Sequence, residues 1–164
     1  MELLQRSVLL AATLTTGLTA GLLTAYAISV MPALSGADDR TVVDVMQRIN
    51  VAILNGWFGI VFGGALVFGA LAILTHLSPG GQPSLPWIVV GVAGYVVTLA
   101  VTAAVNVPLN NALAAAGPPD RITDPAAVRA AFEPRWVTFN IIRTVSAVAG
   151  FAALLWAMLL DGPA

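Results

Sequence analysis

No charged residue occurs between positions 7 and 37, between 49 and 119, or between 144 and 160. A helix needs roughly 20 apolar residues, at about 1.5 Å of rise each, to cross the ~30 Å hydrocarbon layer of a bilayer. Four segments reach or approach that length: 7–31, 51–75, 86–108 and 137–160. Composition agrees, since 59% of residues are hydrophobic and 9% are charged, against about 25% charged in a soluble domain. The chain therefore reads as all-α, a single integral membrane domain over 1–164, built as a four-helix up-down bundle. The surrounding partner is the lipid bilayer, and the expected location is the plasma membrane of a bacterium, crossed several times. Arg6 before an apolar run and Ala25-Tyr26-Ala27 fit a signal-peptide pattern, but the stretch is long for such a leader, so it is read as a retained span.

Charge and cysteine content remove whole function classes. Seven arginines, no lysine and a net charge of −1 leave no basic field for nucleic acid. With no cysteine there is no disulfide, thiol relay or thiolate ligand. No span contains an acid, so a metal site built on clustered His, Asp or Glu is not expected.

The connections differ in kind. A polar turn at Ser35-Gly36-Ala37-Asp38-Asp39-Arg40 leads into a helix expected to run through Arg48 into the second span. The second and third spans are joined by a short hairpin of Pro and Gly over 78–86. In the third connection, Gly117-Pro118-Pro119 breaks the chain and Asp124-Pro125 offers a cap and a first-turn proline. Positions 126–132 then predict a short interfacial helix before Glu133-Pro134. Gly17/Gly21 and Gly59/Gly63, at four-residue spacing, are read as intramolecular helix contacts, with a homo-oligomer face as the alternative. The first and third spans both end in proline, at Met31-Pro32 and Val107-Pro108.

Up-down order puts both long connections on one side, and the polar residues near the spans collect there. Gln47 and Asn50 are three apart, Asn106 and Asn110 four apart, and Trp136, Asn140 and Arg143 fall at i, i+4 and i+7, so each set shares a helix face. Three such stripes predict one polar pocket. Arg143 is read either as a boundary arginine that snorkels or as an inward cation that binds an anionic oxygen. Asn106 and Asn110 are alternatively caps beside Pro108, and Gln47 and Asn50 satisfied helix-end groups. His76 lies on the hairpin side and is read as a surface or interfacial residue. Trp57, Trp87 and Trp156 belong to the aromatic belts. Arg40, Arg48, Arg121, Arg129 and Arg135 on the long-connection side, against Arg6 on the other, place that side in the cytoplasm by the positive-inside rule.

The order Met31-Pro32-Ala33-Leu34, Met46-Gln47-Arg48-Ile49-Asn50, Asn106-Val107-Pro108-Leu109-Asn110 and Trp136-Val137-Thr138-Phe139-Asn140-Ile141-Ile142-Arg143 resembles the anthrone-oxygenase-like family of small four-span membrane proteins, over about 20–150. The resemblance implies a four-helix bundle that oxidises a lipophilic aromatic substrate with dioxygen and uses no cofactor. Where the family has Asn-Pro, this chain has Asn55-Gly56, and the pocket holds no histidine. On that resemblance Arg143, Asn110 and Asn140 are the candidate catalytic residues. Asn106, Trp136, Asn50 and Gln47 are candidate substrate contacts. The alternative class is a non-catalytic membrane protein that binds a lipid or a partner subunit.

Overall fold

A computed structural model describes residues 2–77 and 82–161. All regular elements among them are helical. Four helices are long and apolar enough to span a membrane: α1 (Glu2–Ser35), α3 (Gly56–His76), α4 (Leu85–Ala115) and α5 (Pro125–Leu160). A shorter amphipathic helix, α2 (Asp39–Ala52), lies between the first two. Helix α1 packs on α3 and α5, and α4 packs on α5 and α3. Positions 78–81 of the expected hairpin lie outside the described residues.

The helix expected to run from near Asp38 into the second span is instead two helices. Asn55 makes the break, since its side chain accepts from the Phe58 amide (3.1 Å) and donates to the Ala52 carbonyl (2.8 Å), closing α2 and opening α3 with one amide. Asp38 caps the start of α2 by accepting from the Thr41 amide at 3.0 Å. Side chains of Val42, Val43 and Met46 then bury one face of α2 against Tyr26, Leu113, Phe132 and Trp136, as expected for a 3.6-residue period. Polar ties fix the helix over that end of the bundle. Gln47 Nε2 donates to the carbonyls of Leu113 (2.8 Å) and Gly117 (3.1 Å), and Arg129 of α5 pairs with Asp39 at 3.0 Å.

The separate amphipathic helix at this end is therefore α2. Positions 126–132, expected to form an interfacial helix of their own, are the first turns of α5, which runs unbroken through Pro134. Proline removes one backbone bond from a helix, but Phe132 and Trp136, on either side of it, are buried in the same core. The Arg129–Glu133 ion pair and the Thr138 hydroxyl, which donates to the Pro134 carbonyl at 2.8 Å, brace the same turn.

Two further expectations need correction. His76 is fully buried rather than at the surface. Its Nε2 lies 2.8 Å from Asp161 Oδ2 and its Nδ1 2.7 Å from the Ala72 carbonyl. Asp161 caps α5 at the same end of the bundle, and this carboxylate offsets the cost of burying an imidazole. Among the glycines, Gly17 does sit beneath Phe151 of α5, but added Cβ atoms at Gly21, Gly59 and Gly63 would meet nothing within 4 Å. Backbones instead approach closely at Gly91 and Gly94 of α4 and Gly150 of α5, where a Cβ on Gly150 would lie 2.8 Å from the Gly91 carbonyl oxygen. Ser146 Oγ donates to the Gly94 carbonyl (2.8 Å) and Thr98 Oγ1 to that of Arg143 (3.2 Å) across this seam, the short-range glue expected where lipid supplies no hydrophobic drive.

Candidate functional site

The two prolines that close the first and third spans sit at matching local structures. Each follows a single π-helical turn, Tyr26–Val30 before Pro32 and Thr102–Asn106 before Pro108, with i→i+5 bonds from Met31 N–H to the Tyr26 carbonyl and from Val107 N–H to that of Thr102. Proline withdraws a donor and crowds the preceding turn, and widening that turn relieves the crowding. Such turns are frequent at functional sites. Here they deliver Tyr26, Thr102 and Asn106 to one level of the bundle.

At that level α5 contributes Arg143, which points inward and is buried, so the snorkelling alternative does not describe it. Its Nε and Nη2 donate to Asn140 Oδ1 at 3.1 and 3.0 Å, and Nη1 donates to Thr102 Oγ1 at 3.2 Å. The guanidinium carbon sits 5.3 Å from the centre of the Trp136 ring, within cation–π range. Asn140 is held in turn by donating to the Leu23 carbonyl at 3.3 Å, which fixes which end of its amide faces Arg143. Among the described residues no carboxylate pairs with this guanidinium. Taking an ion out of water costs several kcal/mol, by order of magnitude, unless it is paired. Neutral amide, hydroxyl and indole groups solvate the cation while leaving its positive charge for an anionic oxygen.

Trp136 joins the remaining asparagines. Its Nε1–H donates to Asn110 Oδ1 at 2.8 Å, and its carbonyl accepts from Asn106 Nδ2 at 3.3 Å. Asn106 is fully buried and its Oδ1 has no partner. Trp136 also packs against Tyr26, ring centres 5.6 Å apart. Of the sequence candidates, Arg143, Asn140, Trp136, Asn106 and Asn110 thus converge in one connected cluster. Gln47 and Asn50 do not join it: Gln47 is consumed in tying α2 to the end of α4, and Asn50 makes no bond through its buried Nδ2.

The cluster borders a cavity of about 170 Å³ among all four spans. Arg143, Trp136, Asn110, Thr102 and Tyr26 form its polar wall. Leu22, Leu23, Phe58, Phe62 and Val107 form its apolar wall, and Ile53 and Leu54, in the link between α2 and α3, complete it. Sequence reasoning missed Tyr26, Thr102 and the two phenylalanines. Tyr26 had one usable signal, as the aromatic hydroxyl of the first span a turn before Met31-Pro32. Among the described residues no group of three or more His, Cys, Asp or Glu is placed to hold a metal. The donors at this wall suit an oxyanion.

A sequence profile described as anthrone oxygenase matches residues 56–153, more than half of the chain, taking in Asn106, Asn110, Trp136, Asn140 and Arg143. No curated protein and no solved structure matches the chain.

Proposed function

The chain belongs to the anthrone oxygenase family, and on that premise we propose that it oxidises a membrane-dissolved phenolic or enolisable aromatic with dioxygen at the Arg143 cavity. The observation that carries this reading is the buried guanidinium with neutral partners, facing a largely apolar cavity. A carbon acid that meets it gains most once it has lost its proton, because the charge then rests on an oxygen beside Arg143. Preorganised donors aimed where charge develops lower such a barrier. The proton passes to solvent base, the enolate carbon bonds to dioxygen, and the peroxide anion takes a proton back from solvent and loses water to leave a carbonyl. In net terms a ring CH₂ and O₂ give C=O and H₂O, so the substrate supplies every electron.

In this scheme Arg143 holds the oxyanion, and the Asn110 amide, its Oδ1 already taken by Trp136, adds a second N–H donor. Asn140 and Thr102 position the guanidinium. Apolar walls suit both reactants, since dioxygen and the substrate each partition into hydrocarbon. The protein in detergent or nanodiscs, given an alkylphenol or an anthrone and oxygen, should form quinone from at least one of them, with matching oxygen uptake, in the presence of a chelator. Arg143→Ala should lower the rate about 10²-fold, the usual scale for one oxyanion donor. Turnover unaffected by that substitution overturns the assignment to Arg143, and no quinone formation by the unmodified protein favours a non-catalytic lipid-binding role.

A further inference from the structure

We infer that this cavity is shaped for a single-ring phenol carrying an apolar tail, with the ring oxygen at Arg143 and the tail leaving between α3 and α4 into the bilayer. The inference rests on the oxyanion reading above and narrows its substrate class. Two observations carry it, one of size and one of polarity.

The cavity measures about 170 Å³. An apolar protein cavity of about 150 Å³ takes up one benzene ring, so the space admits one ring with its substituents. A three-ring skeleton would displace wall residues, and inserting even extra methylenes into packed space is costly.

Polarity then orients the ring. At the inner end lie Arg143, Trp136 and Tyr26, 7%, 2% and 9% exposed. At the outer end lie Leu54 and Val107, 77% and 43% exposed, although they line the same cavity. The outer rim is therefore on the lipid-facing surface of the bundle and is aliphatic. Leu54 belongs to the link that Asn55 breaks between α2 and α3, so the rim on that side is not locked into a helix. A ligand that is polar at its ring and apolar along its tail matches both ends, and its tail never leaves hydrocarbon.

The test uses the full chain in phosphatidylcholine nanodiscs, with Trp57, Trp87 and Trp156 replaced by Phe so that Trp136 alone reports binding. Three probes are titrated at known mole fraction in the lipid: 2-methylphenol, 2-decylphenol and anthrone. The two phenols should bind within about threefold of each other, because the tail is in lipid before and after binding and contributes no transfer energy. Anthrone should bind at least about tenfold more weakly. Arg143→Gln should weaken both phenols about tenfold or more, as loss of a charged hydrogen-bond donor does. Val107→Trp, which narrows the rim, should cost the decyl compound about tenfold more than the methyl one.

Anthrone binding as tightly as the phenols, or exclusion of the decyl chain by the unmodified rim, overturns the inference. These outcomes need no variant at position 143 and so do not depend on how that variant folds. If anthrone is preferred and Arg143→Gln weakens it, only the single-ring inference falls. If Arg143→Gln changes none of the three, the oxyanion reading falls with it.

Discussion

Replacing Gly150 by alanine tests the packing on which the site depends. A Cβ there would stand 2.8 Å from the Gly91 carbonyl oxygen, whereas ordinary contacts begin near 3.4 Å. Helices α4 and α5 would have to part by about 0.6 Å, and backbone cannot yield as a side chain does. Overpacking of this kind costs about 1–3 kcal/mol. The Ser146 and Thr98 hydrogen bonds across the seam lengthen with the same movement, at about 0.6 kcal/mol each in a membrane helix pair. Against this, alanine recovers up to about 1 kcal/mol of helix propensity. The net expectation is destabilisation by about 1–3 kcal/mol. Gly63→Ala is the matched control: its Cβ meets nothing within 4 Å, so only the propensity term acts and the sign reverses. Equilibrium unfolding in mixed micelles, followed by helical circular dichroism, separates the two variants by about 2 kcal/mol or more. Equal stability of the two variants would refute the claim that α4 and α5 meet through glycine.

Asp161→Ala removes the carboxylate from the buried His76 and should destabilise the hairpin end by about 1–3 kcal/mol, read by the same unfolding assay. The same substitution in a His76→Leu background should cost much less. The hydrogen bonds from the Thr41 hydroxyl and amide hold the Asp38 carboxyl below its ordinary range. A depressed carboxylate contributes above its unfolded value and loses that contribution as pH falls through its folded value. The amide of Thr41 should therefore lose hydrogen-exchange protection only under acid conditions, and Asp38→Asn should remove the pH dependence. From the arginine distribution we expect the α2 side in the cytoplasm, in which case a phosphatase fused after Ala164 is active outside the cell. A fusion active only in the cytoplasm would reverse the orientation.

Hydropathy made the four spans and their number legible, because lipid leaves a chain few ways to satisfy its backbone. The convergence of Asn106, Asn110, Trp136, Asn140 and Arg143 was equally legible, since helical spacing alone puts each set on one face. Helix boundaries were less so. Whether Asn55 interrupts a helix depends on which amide its side chain reaches, and whether Pro134 does depends on Phe132 and Trp136 being anchored on both sides. Gln47 shared the spacing of a pocket residue, but the end of α4 is packed beneath α2 and uses it first. His76 was misplaced because the separation of 85 residues from Asp161 hides their pairing. Tertiary contact decided each of these.

The wide turn at Thr102–Asn106 has a consequence for alignment. Thr98, Thr102, Asn106 and Asn110 succeed one another at intervals of four, and all four reach α5: Thr98 to the Arg143 carbonyl, Thr102 to its guanidinium, Asn106 to the Trp136 carbonyl and Asn110 to its indole. In an unbroken α-helix each four-residue interval overshoots a full revolution by about 40°, so three intervals would swing the last residue roughly 120° away from the first. The extra residue taken up by the π-turn cancels much of that drift. Forcing this turn back into a regular α-helical ladder with all its residues kept would rotate Asn110 off Trp136 by about a quarter of a revolution or more, leaving the spans in place and the polar wall out of register.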